Sequence, residues 1–329
     1  MRESLPYTAE TWPIAAALLP FPATRGDGNR VQDAPAADWL DVFREVVDAG
    51  FSDVDLTDSW VKPGDLSLER LGELQEATRE AGLRARSISA IRCSVIDAKH
   101  GEDNLAYSHR TLDAAGQLGV GVVSFGLHQA LTSQQQKQLW FWTVAGHVDP
   151  PDDPDTWNLA VSRLTELGRH AAELGVLVSL EMYEDTYLGT ADSAVRLVQD
   201  IGLPNVGLNP DIGNLVRLHR PVEDWREIAT KTLPWSNFWH AKNYARDEDV
   251  ARETYLAVPA PMESGLINYR EAFQIAISAG FQGVICVEHY GGDGLSVCAS
   301  NRDYLRRHVL PRRDGYSLGT SRVTQRVGV

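Results

Sequence analysis

Cysteine is scarce in this sequence of 329 residues. The three cysteines are Cys93, Cys286 and Cys298, an odd number with no pair at the spacing of a C-x-x-C motif. This pattern argues against a disulfide-stabilised secreted fold and against a cysteine-rich zinc site. We therefore expect a protein of the reducing cytoplasm.

Basic residues are also few. Lys and Arg number 31 against 45 Asp and Glu, which gives a formal net charge of -14 with histidine neutral. A nucleic-acid-binding surface usually carries an excess of positive charge, and an anionic membrane would repel this chain. The charge balance therefore argues against nucleic acids and membrane surfaces as partners.

Long hydrophobic runs are missing as well. No stretch reaches the length of about 18 to 20 apolar residues that crosses a bilayer. The segment 12–23, WPIAAALLPFPA, resembles the core of a signal peptide, but it is short, is interrupted by proline and follows Glu3 and Glu10. We expect neither a signal peptide nor a membrane anchor.

What the sequence does contain is a regular alternation of short apolar runs and amphipathic segments. The apolar runs predict eight strands, at 14–19, 52–57, 83–89, 121–126, 176–181, 205–210, 237–242 and 283–288. Apolar residues at helical spacing predict helices at 37–50, 68–83, 105–119, 159–175, 191–202 and 269–280. Most of these segments end at a glycine, which suits the C-terminus of a helix. Eight strand–helix repeats are typical of an α/β fold of the (β/α)8 TIM barrel type.

The barrel is predicted to form a single domain over residues 1–309. One connection, 127–155, follows the fourth strand and contains the aromatic triplet Trp140–Trp142. Loops of this length in a compact domain often have a function. Residues 310–329 are predicted to form a polar tail. Its arginines are candidate contacts with a partner chain: Arg312, Arg313, Arg322 and Arg326.

Four adjacent strand ends carry side chains that can bind a metal ion. In chain order they are Glu181, Asp211, His240 and Glu288. Active sites of α/β barrels lie at this end of the strands, and a lone buried carboxylate there needs compensation. One such acid is often a helix cap or an ion-pair partner, but four in succession predict a shared divalent cation. Three carboxylates and an imidazole suit Mn²⁺ first, with Mg²⁺ or Co²⁺ as alternatives.

Six stretches resemble the xylose isomerase-like TIM barrels, a group with sugar isomerases, ketose 3-epimerases, inosose dehydratases and endonuclease IV. They are GFSDVDL, LEMYE, GLNPDIGN, FWHAKNY, ESGLINY and GVICVEHYG, and together they cover most of residues 12–309. The resemblance implies a barrel in which one divalent metal ion is bound by four residues. These are Glu181, Asp211, His240 and Glu288.

The chemistry that the resemblance implies begins with removal of the proton next to a sugar carbonyl. Isomerisation, epimerisation and elimination share this step. Asn214 stands where ketose 3-epimerases have a histidine, and Tyr187 stands where they have a second glutamate that contacts substrate. Both departures weaken a simple epimerase interpretation. Neither Asp55 nor His128 supplies the further ligands that the three-metal site of endonuclease IV needs.

The overall pattern is most similar to the large subunit of the bacterial C-glycoside deglycosidases, a subgroup of the same barrels. This resemblance implies a carbon–carbon lyase that cleaves 3-oxo-C-glucosides by β-elimination, in an oligomer with a smaller β-rich partner subunit. His147 is then the candidate catalytic base, with the metal-bound Glu181 or Glu288 as the alternative. The candidate substrate-binding residues are Lys242, His128, Asn214 and Trp142.

Other interpretations stay open. A ketose or aldose isomerase or 3-epimerase would use the same metal site, whereas a metal-free barrel would serve as a binding or partner subunit. Trp140–Trp142 could be a hydrophobic plug rather than the wall of an aromatic substrate site. His147 could be an ordinary loop histidine, and Lys242 could belong to a structural ion pair. Metal analysis after dialysis separates the metal-free alternative from the others.

Overall fold

The computed structural model describes residues 7–312 and 316–326. Within them it has ten strands. They are β1 Ile14–Ala17, β2 Asp53–Thr57, β3 Arg84–Ala90, β4 Val122–Gly126, β5 Leu177–Glu181, β6 Val206–Asn209, β7 Phe238–Ala241, β8 Asn243–Asp249, β9 Thr254–Ala260 and β10 Val284–Val287. Eight of these overlap the eight predicted apolar runs.

The eight barrel strands are parallel and follow the order β6-β5-β4-β3-β2-β1-β10-β7. Between β6 and β7 the ring is completed by one parallel bridge, from Leu208 to Ser236. A side chain strengthens this seam, because the amide oxygen of Asn209 accepts a hydrogen bond from the backbone N–H of His240 at 2.7 Å. The predicted (β/α)8 TIM barrel is confirmed.

Nine α-helices of the described residues connect the strands. They are α1 Ala36–Asp48, α2 Leu68–Glu80, α3 Gly101–Leu118, α4 Pro154–Glu173, α5 Ala191–Ile201, α6 Ile212–Val216, α7 Trp225–Thr232, α8 Tyr269–Ser278 and α9 Gly294–Tyr304. The start of α4 is capped by Asp153, whose side chain accepts from two backbone N–H groups of the first turn. None of the described helices is both long and apolar enough to span a bilayer.

Three α-helices and one hairpin lie outside the set predicted from sequence: α6, α7, α9 and the hairpin of β8 and β9. The hairpin is antiparallel, pairs Asn243 with Ala260 at its base and Asp249 with Thr254 at its tip, and is largely exposed beyond its first residues. β8, with the sequence NYARDED, carries charged side chains and lacks the apolar run on which the strand predictions depended. β9, with the sequence TYLAVPA, is mostly apolar but contains a proline, which is unusual inside a strand.

Alternation along the strands decides which side chains enter the barrel. Along β5, Val178 and Leu180 belong to the main core between strands and helices, whereas Leu177 belongs to a separate apolar cluster inside the barrel. Glu181 lies four residues after Leu177 and therefore on the same inward face. The alternation along β5 therefore places the side chain of Glu181 inside the barrel, at the C-terminal end of the strand.

The connection after β4 covers 127–153 and holds two short 3-10 turns, Gln135–Lys137 and Phe141–Thr143. It lies at the carboxyl end of the strands, on the rim that also carries the predicted metal ligands. Trp142, within the second turn, is 1% exposed. The connection is therefore packed onto the barrel rather than extended into solvent.

The tail passes over the opposite, amino-terminal end of the strands. Val323 is buried, and the backbone N–H of Thr324 donates to the carbonyl of Pro204, in the loop before β6. The side chain of Arg326 donates to the carbonyl of Gly121, just before β4. Of the tail arginines predicted to contact a partner, Arg326 thus binds the barrel itself. Arg313 lies outside the described residues.

Candidate metal centre

The four predicted ligand side chains meet at one point inside the barrel mouth. Glu181 ends β5, Asp211 follows β6 by two residues, His240 lies in β7, and Glu288 directly follows β10. The Nδ1 atom of His240 is 3.7 Å from a Glu181 oxygen and 3.9 Å from one oxygen each of Asp211 and Glu288. All four side chains are buried. We call these four residues the carboxylate cluster.

The centre of the carboxylate cluster has the properties of a cation site. Nδ1 of His240 is buried and has no hydrogen-bond partner among the described residues. It faces three carboxylate oxygens at distances too long for hydrogen bonds, although a buried polar atom normally has a partner. Glu181, Asp211 and His240 offer ligand atoms close enough together for one ion. This donor set fits a hard divalent cation such as Mn²⁺ or Mg²⁺.

The opposite ring nitrogen of His240 is held by an outer layer of polar groups. The hydroxyl of Ser89 donates to Asp55 at 2.9 Å and lies 3.1 Å from Nε2 of His240. Because the serine proton is used on the carboxylate, the serine oxygen accepts from Nε2–H, so in the neutral ring that binds a cation the lone pair lies on Nδ1. Asp55 also accepts from the hydroxyls of Ser87 and Thr57. Asp55 is therefore a brace for the histidine.

Lys242 supplies positive charge next to the same carboxylates. Its Nζ donates to Asp211 at 2.6 Å and to Glu288. Burial raises the pKa of Asp211 to about 7, although the Lys242 ammonium opposes that rise. Burial disfavours a charged His240, but the carboxylates of Glu288 and Glu181 outweigh it and raise the pKa of His240 to about 9. Although burial opposes it, His240 and Lys242 lower the pKa values of Glu181 and Glu288, so both carboxylates stay anionic and favour a positive charge at the centre of the cluster.

Asn214 braces two of the candidate ligands. Its Nδ2 donates to Glu181 at 3.1 Å, to Asp211 at 2.9 Å and to the carbonyl of Met182 at 3.1 Å. The amide nitrogen is therefore fully occupied within the protein. Its Oδ1, buried and without a partner among the described residues, is the atom left for a substrate contact.

An aromatic cap lies beside the carboxylate cluster; it consists of Trp140, Phe141, Trp142, Tyr244 and Tyr290. The indole rings of Trp140 and Trp142 stack with centroids 5.1 Å apart, and Trp142 donates to the carbonyl of Ala257 at 3.0 Å. Tyr290 joins the cap to the cluster, since its ring centroid is 5.3 Å from Nζ of Lys242. Trp142, predicted to bind substrate, is thus part of the buried wall of the mouth.

A buried ion pair behind the cap was missed by the sequence analysis. Arg217 is fully buried, donates to both oxygens of Glu184 at 3.0 and 3.1 Å, and lies within 6 Å of five aromatic ring centroids. The sequence feature that could have indicated this ion pair is its spacing from the site. Glu184 follows Glu181 by three residues, and Arg217 follows Asn214 by three. Their pairing fixes the segments that carry the candidate ligands.

The two histidines predicted after β4 have different surroundings. His128 is 3% exposed and stacks on Tyr183 with centroids 4.4 Å apart. Burial lowers the pKa of His128 to about 4, so this ring is neutral at neutral pH, and it lies near enough to Glu181 to influence its charge. His147 is exposed and shares a small cleft with His128. None of the described contacts joins His147 to the carboxylate cluster.

The family model described as xylose isomerase-like TIM barrel matches residues 43–308 of the chain. Among solved structures, a xylose isomerase-like TIM barrel protein from Mycobacterium smegmatis in complex with magnesium is 48% identical to this chain, with a TM-score of 0.87. The match covers 92% of this chain and 97% of that protein. No curated protein matches the chain.

More distant solved structures share the barrel. The 3-keto-D-glucoside 4-epimerase from E. coli is 16% identical with a TM-score of 0.62, over 90% of this chain and 99% of that one. D-psicose 3-epimerase from Clostridium cellulolyticum H10, solved with D-tagatose, is 15% identical with a TM-score of 0.65, over 91% and 99%. At these identities the likeness shows the fold alone.

Proposed function

The chain belongs to the xylose isomerase-like TIM barrel family, and from that premise we propose a divalent-metal-dependent enzyme that acts on a carbonyl sugar. The observation that carries this proposal is the convergence of three buried carboxylates on Nδ1 of His240, an atom without a protein partner among the described residues. A bound cation would supply Lewis acidity at the carbonyl oxygen of the sugar. Mn²⁺ is the proposed metal, with Mg²⁺ and Co²⁺ as alternatives.

The residues around the cluster have proposed roles that follow from their positions. Glu181 and Glu288 lie on different sides of the cluster and are the carboxylates available to accept the proton next to the carbonyl. Lys242, already a donor to two carboxylates, would orient a sugar oxygen. The aromatic cap excludes water from this step. His147 acts as the base only if its loop brings it inward, since the ring is exposed in the described conformation.

The specific reaction that we propose is cleavage of a 3-oxo-C-glucoside. The proton at C2 leaves to the base, its electron pair forms a C1=C2 double bond in the keto sugar, and the bond from C1 to the aglycone breaks. The aglycone keeps the electron pair of that bond and takes up a proton. The aromatic cap offers a surface on which a flat aglycone would pack. Tyr187 also supports a departure from the epimerases, because its hydroxyl donates to the carbonyl of Pro150 at 2.8 Å and therefore does not replace a substrate-binding acid.

The second candidate function is a ketose or aldose isomerase or 3-epimerase. The packing of the aromatic cap favours this candidate. Trp142 is 1% exposed, so the cap is closed and suits a small sugar better than a substrate with a large aglycone. A metal-free binding subunit is the third alternative. It would leave Nδ1 of His240 without any partner, which is costly for a buried polar atom.

We propose a cytoplasmic location and an oligomer that includes a smaller β-rich partner subunit. Free thiols at all three cysteines are compatible with a reducing compartment. The exposed hairpin of β8 and β9 offers a free surface beside the barrel mouth for such a partner. Activity of the purified chain alone, eluting as a homo-oligomer, would contradict the need for a partner.

The test begins with metal content after dialysis and continues with product mass spectrometry. The substrates are ketohexoses, 3-keto-D-glucosides and 3-oxo-C-glucosides of flavonoids. We expect about one equivalent of Mn²⁺ per chain and release of the aglycone. The double variant Glu181→Gln, Asp211→Asn should lose both, and wild-type metal content in that variant would refute the ligand assignment. Epimerised ketose without aglycone release would establish the second candidate.

The base is tested by a pair of variants, His147→Ala and His128→Ala. If His147 is the base, its replacement should retain metal and abolish proton exchange at C2, while replacement of His128 should chiefly change KM. Wild-type exchange in His147→Ala would assign the base to Glu181 or Glu288. Deuterium incorporation from solvent, followed by mass spectrometry, measures the exchange directly.

A further inference from the structure

A cluster of imidazole and carboxylate side chains lies outside the barrel, between α3 and α4. His109 and Asp113 are four residues apart on α3, and Glu166 and His170 are four residues apart on α4, so each pair shares one helix face. The two Nδ1 atoms of the histidines are 2.9 Å apart. Nε2 of His109 is 2.9 Å from Glu166, and Nε2 of His170 is 3.0 Å from Asp113.

If both imidazole rings are neutral, they have two N–H groups between them, too few to donate in all three contacts. An ionised carboxylate only accepts, so the proton of each imidazole lies on the Nε2 atom that faces Glu166 or Asp113. A neutral imidazole has a single N–H, which leaves a lone pair on both Nδ1 atoms. Two lone pairs 2.9 Å apart repel each other. The contact between His109 and His170 therefore requires a positively charged species between the rings.

We propose that this species is a transition-metal ion, Zn²⁺ or Cu²⁺, bound by Nδ1 of His109 and Nδ1 of His170. Imidazole nitrogens suit these ions. Glu166 and Asp113 hold the other ring nitrogen of each ligand, the arrangement that fixes the ring and raises its basicity in metal sites. The histidine side chains are 27% and 24% exposed, so water reaches the remaining coordination positions.

Binding one metal ion between the two histidines requires only a small increase in the distance between their Nδ1 atoms. Two nitrogens at about 2.0 to 2.1 Å from a tetrahedral zinc ion are about 3.4 Å apart, so the present separation must widen by about half an ångström. The two helices pack directly against each other and both rings are partly exposed, so the rings can turn without unpacking the core. The site is separate from the carboxylate cluster, whose oxygen ligands favour harder ions.

The experiment uses the full chain in excess Mg²⁺ and titrates it with Zn²⁺ by calorimetry. The variants are His109→Gln and His170→Gln. The matched control is His100→Gln, which removes an exposed histidine at the start of α3. We expect the wild type and the control to bind one equivalent more than either test variant. Any exchange of Zn²⁺ into the barrel adds equally to all four proteins and does not affect this difference.

Two further measurements separate coordination from adventitious binding at surface histidines. Cu²⁺ added to the Mg²⁺-loaded protein should show hyperfine coupling to two imidazole nitrogens by electron paramagnetic resonance, and to one in either test variant. Glu166→Gln should weaken Zn²⁺ binding about tenfold without abolishing it, as expected for a residue that positions a ligand. Equal stoichiometry in all proteins, or no extra equivalent in the wild type because a proton alone bridges the rings, would overturn the proposal.

Discussion

At the scale of single residues, the direction of each hydrogen bond around His240 determines which ring nitrogen is free. Ser87 and Ser89 are two residues apart on β3, are both buried, and both donate to Asp55. Ser89 alone of the two also contacts Nε2 of His240. The two serines therefore form a natural pair of test and control positions, with the same strand, burial and acceptor but a different contact.

Ser89→Ala should weaken Mn²⁺ binding about 10- to 100-fold, because Nε2–H of His240 loses its acceptor and the tautomer is no longer fixed. Ser87→Ala should change the affinity by less than about threefold, since it leaves that contact in place. Isothermal titration calorimetry of the dialysed proteins gives both values. Equal affinities in the two variants would show that the serine contact does not position the histidine.

At the scale of elements, the connection after β4 is held by its aromatic side chains. Trp142 packs edge-on against Tyr244 and Tyr290, with centroids 5.3 and 5.6 Å away, and stacks on Trp140. Leu139, three residues earlier, is 85% exposed. The same short segment thus contains one side chain that anchors it and one that contributes little to packing.

Trp142→Ala should lower the free energy of unfolding by about 3 to 5 kcal/mol, or detach the connection locally, because a large buried ring is lost. Leu139→Ala should stay within about 0.5 kcal/mol of the wild type. Urea unfolding followed by circular dichroism measures the global effect, and hydrogen exchange over 127–153 measures the local one. Wild-type behaviour of Trp142→Ala in both measurements would refute the anchoring role.

The turn after β2 contains a buried acid with a shifted pKa. Asp58 is 4% exposed, and burial raises its pKa to about 7, partly offset by the backbone N–H of Ile91 and the charge of Lys62. Tyr107 also donates to it, and Asp55 faces it from the strand. The folded protein therefore holds a proton on Asp58 that the unfolded chain releases near its ordinary pKa of 3.8.

Because the folded-state pKa of Asp58 is raised, its contribution to stability is complete below about pH 4 and is lost as the pH rises through about 7. The free energy of unfolding of the wild type should fall by at most about 1.4 kcal/mol per pH unit in this window from this group. Asp58→Asn should remove that slope. Urea unfolding at pH 5 and pH 7.5 gives the comparison, and parallel pH profiles for the two proteins would contradict the buried proton.

At the scale of the whole molecule, the carboxylate cluster joins four strands that are adjacent around the barrel, including the seam between β6 and β7. That seam has one backbone bridge and the side-chain bond of Asn209. A cation shared by residues on both sides of the seam would cross-link the barrel at this point. Metal binding should therefore stabilise the entire fold, since a ligand bound only to the folded state shifts the unfolding equilibrium.

Mn²⁺ at a hundredfold excess over its Kd should stabilise the folded protein by about 2.7 kcal/mol, which corresponds to a rise in Tm of about 4 °C for a chain of this length. Chelation should reverse the rise. The double variant Glu181→Gln, Asp211→Asn is the control and should show no response to the metal. Scanning calorimetry with and without Mn²⁺ measures the effect, and an equal Tm shift in the control would place the metal elsewhere.

The sequence by itself determined the barrel and the composition of its mouth. Apolar runs and helical spacing are local properties of the chain, and they predicted all eight barrel strands. Parallel strands then bring their carboxyl ends to one rim, so a topology derived from sequence was enough to place Glu181, Asp211, His240 and Glu288 together. The hairpin escaped prediction because β8 is charged and β9 contains a proline, and α7 escaped it because it is short.

The tertiary structure alone decided which distant side chains pair. The contacts of Arg217 with Glu184 and of His109 with His170 join separate segments, and they depend on how two elements are rotated against each other. The same holds for Ser89, which reaches His240 only because the barrel closes. Local periodicity fixes which face of an element is apolar, but the packing of whole elements fixes which polar groups meet across it.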